Sequence, residues 1–327
     1  MAPIAIDQDQ LNVPVAIKSK KDLKGLASPL PEVKTFDAET VTVDELVDAI
    51  KVAGGVVVKG ILGTEEVKTI EKDVRPWLEK DKPWTDGDFF PPETRRAYGM
   101  ITKSQTFAER IVGHPLWIGV TDALLTSVLK NNWVGEKNEV SISKPQLNNT
   151  IVFSIGPGAR SQVLHRDDAI HHRDYPAIAE HEMGRDAGIG FFVAGKKSTK
   201  QNGATRFIPG SHLWDYAEGP PREDQTFYAE LEPGDGFMFL SGCFHGGSAN
   251  KTENEERLLY STFSTRGWMR QEENQYLAND IEDIKKLPEW LQERVGYGLS
   301  RPFLGWVNLA NPMLVLHPDK KAYGDLW

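Results

Sequence analysis

The stretch EVSISKPQLNNTIVFSIGPGARSQVLHRD, residues 139–167, shows the texture that decides the fold: short β-type runs separated by Gly, Pro and Asn. The runs in this stretch are 139–143, 150–155 and 162–165, and further runs follow at 189–193, 205–208, 226–229, 236–239 and 257–264. About eight strands at this spacing predict a mainly β fold, either a sandwich or a barrel.

The residues before this β-rich part have different patterns. Apolar residues recur at helical spacing in 43–52 and again in 64–78, and a third helix is predicted within 104–130. Residues 1–35 mix Pro, Lys and Asp with short apolar pieces, which predicts a weakly ordered arm. We therefore expect helices packed around a β core.

Four residues in the β-rich part form a candidate metal site with an anion-binding group. His165 and Asp167 are two residues apart, His245 lies far downstream, and Arg257 follows His245. Residues two apart in an extended strand point to the same face, so His165 and Asp167 can reach one ion. Two imidazoles and one carboxylate on one side of a metal are typical of non-haem Fe(II) oxygenases.

Arg257 begins the predicted strand 257–264, in which every second residue shares one face. If that face points inward, the guanidinium lies in the same cavity as the metal. An unpaired buried charge is costly, and no protein acid stands out as its partner. The sequence therefore predicts an acidic ligand, because a planar guanidinium binds a carboxylate through two parallel hydrogen bonds.

Composition excludes several other classes of function. The chain has 38 basic and 47 acidic residues, and this net charge of −9 argues against nucleic-acid binding. No apolar run approaches the roughly 20 residues that cross a bilayer. The single cysteine, Cys243, excludes an intramolecular disulfide and is expected to be a small buried apolar residue. With no secretory signal pattern at the N-terminus, we expect a cytoplasmic protein.

The run QNGATRFIPGSH, residues 201–212, resembles the corresponding segment of the phytanoyl-CoA dioxygenase family, which comprises Fe(II)/2-oxoglutarate-dependent oxygenases. The order and spacing of His165-Arg166-Asp167, Gly234-Asp235, His245 and Arg257 are similar to those of the family. The segment 89–96, FFPPETRR, is similar to fungal members that modify secondary metabolites. The resemblance covers roughly residues 40–270.

The resemblance implies a double-stranded β-helix (jelly-roll) core in which His165, Asp167 and His245 hold iron. It also implies that Arg257 binds the distal carboxylate of 2-oxoglutarate, and that Gln162 and Thr205 contact the same co-substrate. Such an enzyme uses O₂ and releases succinate and CO₂ while it oxidises an unactivated C–H bond. Because family relatives that halogenate have a small residue at the position of Asp167, halogenation is not expected.

We expect one catalytic domain, 36–327, with the jelly-roll core at about 138–265 and a C-terminal extension at 266–327. Fungal relatives are often homodimers, so the resemblance also implies a homodimer. The alternative is a cupin-like metal protein of another class, either a zinc hydrolase or isomerase or an inactive binding relative. The pair Arg257 and Gln162 favours the oxygenase, since a zinc hydrolase needs no second carboxylate clamp.

Two aromatic stretches are candidates for substrate contact. Residues 79–98 include Phe90, and residues 267–276 include Trp268. We predict that both stretches form a lid over a small, mostly apolar substrate, because loops at the mouth of a β-barrel select the ligand. The alternative is that these aromatic residues pack on the helical shell. The identity of the substrate stays open.

Overall fold

The computed structural model describes residues 30–85, 87, 89–217 and 221–320, without the side chains of 131–134 and 137–139. Most of the predicted N-terminal arm, 1–35, lies outside the described residues. In the described part, strands form the centre of the molecule and helices pack around them, as predicted. No helix there has both the length and the apolar character needed to cross a membrane.

The strands form one large sheet, one small sheet and a hairpin. In chain order they are β1 (Thr35–Asp37), β2 (Gly55–Lys59), β3 (Thr94–Tyr98), β4 (Ser127–Val134), β5 (Lys137–Ser143), β6 (Gln146–Ile155), β7 (Gly188–Ala194), β8 (Thr205–Phe207), β9 (Phe227–Ala229), β10 (Gly236–Leu240), β11 (His245–Gly247) and β12 (Arg257–Thr265). The large sheet has the order β1-β2-β10-β7-β12-β6-β3, the small sheet has the order β11-β8-β9, and β4 pairs with β5. Strands from the N-terminal part thus complete the large sheet, which extends beyond residues 138–265.

Strand β12 lies between β6 and β7 and is buried along its whole length. On one face, Tyr260 contacts the ring of Phe107 and donates a hydrogen bond to the carbonyl of Val67. Nearby on that face, Phe191 of β7 stacks on Trp117, with 5.2 Å between ring centroids. Helices therefore cover this face, and the opposite face of β12 is left to line a cavity.

The helices have sequence-encoded ends. They are α1 (Val43–Ala53), α2 (Thr64–Lys80), α3 (Met100–Lys103), α4 (Gln105–Phe107), α5 (Pro115–Leu125), α6 (Gln275–Ala278), α7 (Ile281–Ile284), α8 (Glu289–Gln292) and α9 (Met313–Leu316). Helix α1 begins with a capping box in which Thr42 and Glu45 exchange hydrogen bonds. It ends at Gly54, whose φ of 78° favours glycine, and a Cβ there would lie 2.3 Å from the sulfur of Cys243.

The helix expected within 104–130 is confirmed by α5 (Pro115–Leu125), after which the chain enters β4, whose first residues include the β-branched Val128. One local prediction was wrong. The strand expected at 162–165 is reduced to a single bridge between His165 and His245. In a continuous strand, the carbonyl of Gln162 would accept a hydrogen bond from the backbone of a neighbouring strand. Here it accepts one from the Arg206 side chain.

Candidate metal centre and its cavity

The structure brings the three predicted metal ligands together. Nε2 of His165 lies 3.4 Å from Oδ1 of Asp167, and Nε2 of His245 lies 3.2 Å from Oδ2 of the same carboxylate. One ligand atom from each residue lies within 4.8 Å of the other two. Among the described residues, this is the only group of three or more His, Cys, Asp or Glu side chains that could hold one ion.

Backbone hydrogen bonds orient both imidazoles toward the ion site. Nδ1 of His165 lies 2.8 Å from the carbonyl of Val163, and Nδ1 of His245 lies 3.1 Å from the carbonyl of Cys243. A carbonyl only accepts, so each Nδ1 carries the proton and each Nε2 presents its lone pair to the metal. The donor set, two neutral imidazoles and one carboxylate, fits Fe(II).

The surroundings of Asp167 already favour its charged form. Burial opposes ionisation, but in the metal-free protein the charge of a protonated His245 and hydrogen bonds from the protonated rings of His165 and His245 hold the pKa of the Asp167 carboxyl well below its usual range. Asp167 was predicted to share an extended strand with His165, whereas it begins a turn of 3-10 helix, Asp167–His171. Its backbone N–H donates to the carbonyl of Ser241, which fixes the start of that turn beside His245.

Arg257 opens into the same cavity from the first position of β12. Only 2% of the residue is exposed, and burial lowers the pKa of its guanidinium to about 10. Its Nε donates to the hydroxyl of Ser198 and its Nη2 donates to the hydroxyl of Thr205, at 3.2 and 2.7 Å. No carboxylate of the described residues forms an ion pair with it, so a buried positive charge faces the cavity without a protein counter-ion.

Gln162 and Thr205 lie beside Arg257, as the family resemblance implied. Thr205 is on β8 and is buried, and its hydroxyl accepts from the guanidinium. Oε1 of Gln162 accepts from the backbone N–H of Gly247 at 3.0 Å, which holds the amide at the cavity wall. The predicted ligands and co-substrate residues therefore all line one cavity.

This cavity has a mostly apolar wall that includes five phenylalanine side chains. Alternate residues of two adjacent strands line it, which are Asn149, Ile151, Phe153 and Ile155 of β6 and Arg257, Leu259, Ser261 and Phe263 of β12. The prediction that these β12 residues share one inward face is confirmed. A concave, mostly apolar site with a few polar groups is typical of small-molecule binding.

Of the two candidate substrate residues, only Phe90 lines this cavity. Phe90 packs on Phe153 at 5.9 Å between centroids, and its neighbour Phe89 contacts the ring of His165 at 5.4 Å. Trp268 lies instead at a separate surface cavity, where its indole N–H donates to the hydroxyl of Ser127. The structure thus places one of the two predicted lid residues beside the metal ligands and the other away from them.

Several polar residues of the cavity wall were not predicted from the sequence, among them Glu272 and Asn149. Glu272 lies in the predicted lid stretch 267–276, whose aromatic residues were the candidates for substrate contact. Asn149 lines the cavity from β6, one residue before the predicted start of that strand at Thr150. Strand alternation would have placed Asn149 there if the strand had been predicted to begin at Gln146.

Cys243 takes no part in the metal site. It is fully buried, and its sulfur lies 3.6 Å from Nδ1 of His212 and 3.8 Å from the carbonyl of Gly54. Burial raises the pKa of its thiol to about 12, so the thiol stays protonated. The prediction that Cys243 is a small buried residue is confirmed.

Comparison with known proteins identifies the family. The sequence profile described as phytanoyl-CoA dioxygenase (PhyH) matches residues 50–258. The chain belongs to the PhyH family. This confirms the resemblance seen in the sequence and, with it, the enzyme class, a non-haem iron dioxygenase that depends on 2-oxoglutarate.

Similar PhyH relatives come from filamentous fungi. Dioxygenase cnsJ of Penicillium expansum is 37% identical over 304 residues, covering 91% of this chain and 89% of that protein. Dioxygenase peniF of Penicillium patulum is 40% identical over 281 residues, covering 85% of this chain and 90% of that protein. Dioxygenase himG of Aspergillus japonicus is 36% identical over 309 residues. The similarity therefore extends over nearly the whole length of each protein.

Solved structures show the same fold. The epimerase SnoN in complex with Fe³⁺, alpha ketoglutarate and nogalamycin RO superposes with a TM-score of 0.51 at 18% sequence identity, covering 73% of this chain and 89% of SnoN. At this identity the likeness concerns the fold alone. It confirms the predicted mainly β, double-stranded β-helix (jelly-roll) class for this PhyH member.

Proposed function

We propose that this PhyH enzyme oxidises an unactivated C–H bond of a small, mostly apolar natural product while 2-oxoglutarate is converted to succinate and CO₂. One observation carries the proposal. Arg257, a buried guanidinium without a counter-ion among the described residues, opens into the same cavity as His165, Asp167 and His245. A dianionic co-substrate bound between the metal and this guanidinium would satisfy both charges.

We assign three roles to the polar residues of the cavity: binding the metal, binding the distal carboxylate, and contacting the co-substrate from the adjacent wall. His165, Asp167 and His245 would hold Fe(II), which together with 2-oxoglutarate and O₂ supplies the oxidant for the C–H bond. Arg257 would bind the distal carboxylate, with Thr205 and Ser198 holding the guanidinium in place. Gln162 would contact the co-substrate from the adjacent wall.

The aromatic wall would bind the substrate and exclude water. Five phenylalanines line the cavity, and their rings contact one another in two groups: Phe89, Phe90 and Phe153, and Phe192 and Phe263. Apolar walls bind apolar ring systems by the hydrophobic effect, at roughly 25 cal/mol per Å² buried. The fungal relatives named as dioxygenases, and the SnoN structure with nogalamycin RO, support a natural-product substrate. Hydroxylation, desaturation and ring formation are all compatible with the site.

The experiment that tests the oxygenase reading is an anaerobic absorption spectrum. Adding Fe(II) and then 2-oxoglutarate to the metal-free protein should produce a weak visible charge-transfer band, because the keto acid chelates the iron. The matched control replaces Fe(II) by Zn(II), which has no such transition. A protein that binds Zn(II) but develops no band with Fe(II) and 2-oxoglutarate would support the zinc hydrolase or isomerase instead.

Substitutions of Phe90 and Trp268, one aromatic residue from each predicted lid stretch, can be compared directly. Phe90→Ala should weaken substrate binding or change the product distribution, because Phe90 lines the cavity and packs on Phe153. Loss of the Phe90 ring from the cavity wall is expected to weaken the free energy of substrate binding by on the order of 1–3 kcal/mol. The Trp268→Ala variant is the control, since Trp268 lies at another cavity. Equal effects of the two substitutions on substrate kinetics would show that the apolar wall is not the substrate site.

We also infer a cytoplasmic homodimer. Two features support self-association: the hairpin β4–β5 exposes Val128, Val140 and Ile142, and the C-terminal extension exposes Trp306 and Leu309. Val128 and Ile142 are cross-strand partners, and adjacent exposed apolar side chains can mark an interaction site. A single free cysteine, which is buried, fits a reducing compartment.

A further inference from the structure

We propose that Glu272 and Asn149 form a binding site for a protonated amine of the substrate, on the wall of the metal cavity. The inference rests on the proposed function, because it assigns a chemical class to the substrate of that site. It goes beyond the metal and co-substrate residues, none of which it uses.

Glu272 is held at the cavity by strand β6. Its carboxylate accepts hydrogen bonds from the side-chain amides of Asn149, at 2.5 Å, and Asn148, at 3.2 Å. Its backbone N–H donates to Oδ1 of Asn148 at 2.8 Å. These contacts fix an acidic group at the cavity wall, yet they leave part of its hydrogen-bonding capacity unused, since a carboxylate accepts at about four lone-pair sites.

Two buried oxygen atoms in the same wall have no hydrogen-bond partner among the described residues. Asn149 is 3% exposed and its Oδ1 accepts no hydrogen bond, and Ser261 is fully buried and its hydroxyl has no partner. Both side chains line the cavity. A buried unsatisfied polar group costs about 1–3 kcal/mol, so such atoms indicate a missing ligand or water. Because the amide nitrogen of Asn149 already donates to Glu272, the free oxygen of Asn149 can only accept.

The unpaired charge of Glu272 favours a cationic donor. Among the described residues, Asp167 and Glu272 are the two acids that line the cavity, and Asp167 is a metal ligand. Two arginines, Arg160 and Arg257, also line it. No basic side chain of the described residues forms an ion pair with Glu272. Burial, followed by the negative charge of Asp167, raises the pKa of the Glu272 carboxyl. An ammonium group would offset this cost, donating to the carboxylate and to Oδ1 of Asn149, with its apolar body against the aromatic wall.

The alternative is that Glu272 only anchors the chain after β12. The neighbouring Glu273 has such a role: its carboxylate accepts from the backbone N–H groups of Gly99 and Thr150, at 2.7 and 3.1 Å, and from the side chain of Gln275. Glu273 does not line the cavity. It is therefore a matched control, an adjacent glutamate that ties the same segment to the core without facing the substrate.

The test compares amines with neutral molecules of the same shape. We would measure calorimetric affinities of tryptamine against tryptophol and phenethylamine against 2-phenylethanol, using anaerobic protein loaded with Fe(II) and 2-oxoglutarate. For at least one pair, wild-type protein should bind the amine about tenfold more tightly than the alcohol, as a charge-assisted hydrogen bond predicts. Glu272→Gln should abolish this preference and leave alcohol affinity unchanged, whereas Glu273→Gln should keep it.

Three results would overturn the proposal. No amine in the panel is preferred over its alcohol, or Glu272→Gln keeps the preference, or Glu272→Gln only lowers the thermal midpoint. The charge-transfer band, recorded on the same samples, separates this inference from the function on which it rests. A normal band without an amine preference rejects the amine site alone, whereas a missing band rejects the proposed oxygenase.

Discussion

Asp167→Ala is expected to abolish turnover and to remove iron from the purified protein. The carboxylate lies between Nε2 of His165 and Nε2 of His245, so the substitution takes away one of three ligand groups. Losing a residue that merely supports a metal ligand already costs about 10–100-fold in metal affinity or activity. Loss of a ligand itself should therefore exceed a hundredfold. Succinate formation and the iron content per chain are the measurements.

The fold should survive this substitution, because Asp167 is on a short turn that Ser241 holds through the backbone. The control is Asp168→Asn, since Asp168 is an adjacent buried acid that accepts a hydrogen bond from Tyr216. Asparagine keeps an acceptor for Tyr216, so this variant should retain iron. His165→Ala and His245→Ala should match Asp167→Ala. Full iron occupancy and wild-type turnover in Asp167→Ala would remove the basis of the metal assignment.

The site residues that lie on strands could be predicted from the sequence, because side chains alternate between the two faces of a strand. Once 257–264 is taken as a strand, Arg257 and Ser261 must share a face, and the structure places both in the cavity wall. The same rule gave His165 and Asp167 a common direction. Both side chains do reach the same site, but they do not share a continuous strand. His165 makes one isolated bridge, and Asp167 begins a helical turn.

Residues in loops could not be oriented in this way. From the sequence, Phe90 and Trp268 were equally good candidates for substrate contact, because neither lies in a predicted helix or strand. The structure separates them through long-range contacts: Phe90 packs on Phe153 of β6, and Trp268 donates to Ser127 at the start of β4. Glu272 is at the cavity for a similar reason, since the amide of Asn149 holds it. These contacts join residues that are 63 to 141 positions apart in the chain, so they leave no local pattern in the sequence.

The clearest test of the co-substrate assignment is Arg257→Ala, which should sharply raise the concentration of 2-oxoglutarate that the enzyme requires. Arg257 is 2% exposed, and among the described residues its side chain is bonded only to the hydroxyls of Ser198 and Thr205. Truncating one partner of a buried charge pair costs about 2–5 kcal/mol, or roughly thirtyfold to several thousandfold in affinity. Anaerobic titration of the visible band gives that affinity directly, and the KM for 2-oxoglutarate gives it during turnover.

Two further variants make the result specific to the carboxylate. Gln162→Ala should raise the 2-oxoglutarate requirement at most about tenfold, because a neutral hydrogen bond contributes about 0.5–1.5 kcal/mol. Arg266→Ala removes another buried arginine, one that follows β12 and donates to the carbonyls of Asp186 and Leu125. It should lower thermal stability and leave co-substrate affinity unchanged. If Arg257→Ala titrates like the wild type, or no differently from Arg266→Ala, the guanidinium of Arg257 does not bind 2-oxoglutarate. The buried charge at the start of β12 would then need another anion as its partner.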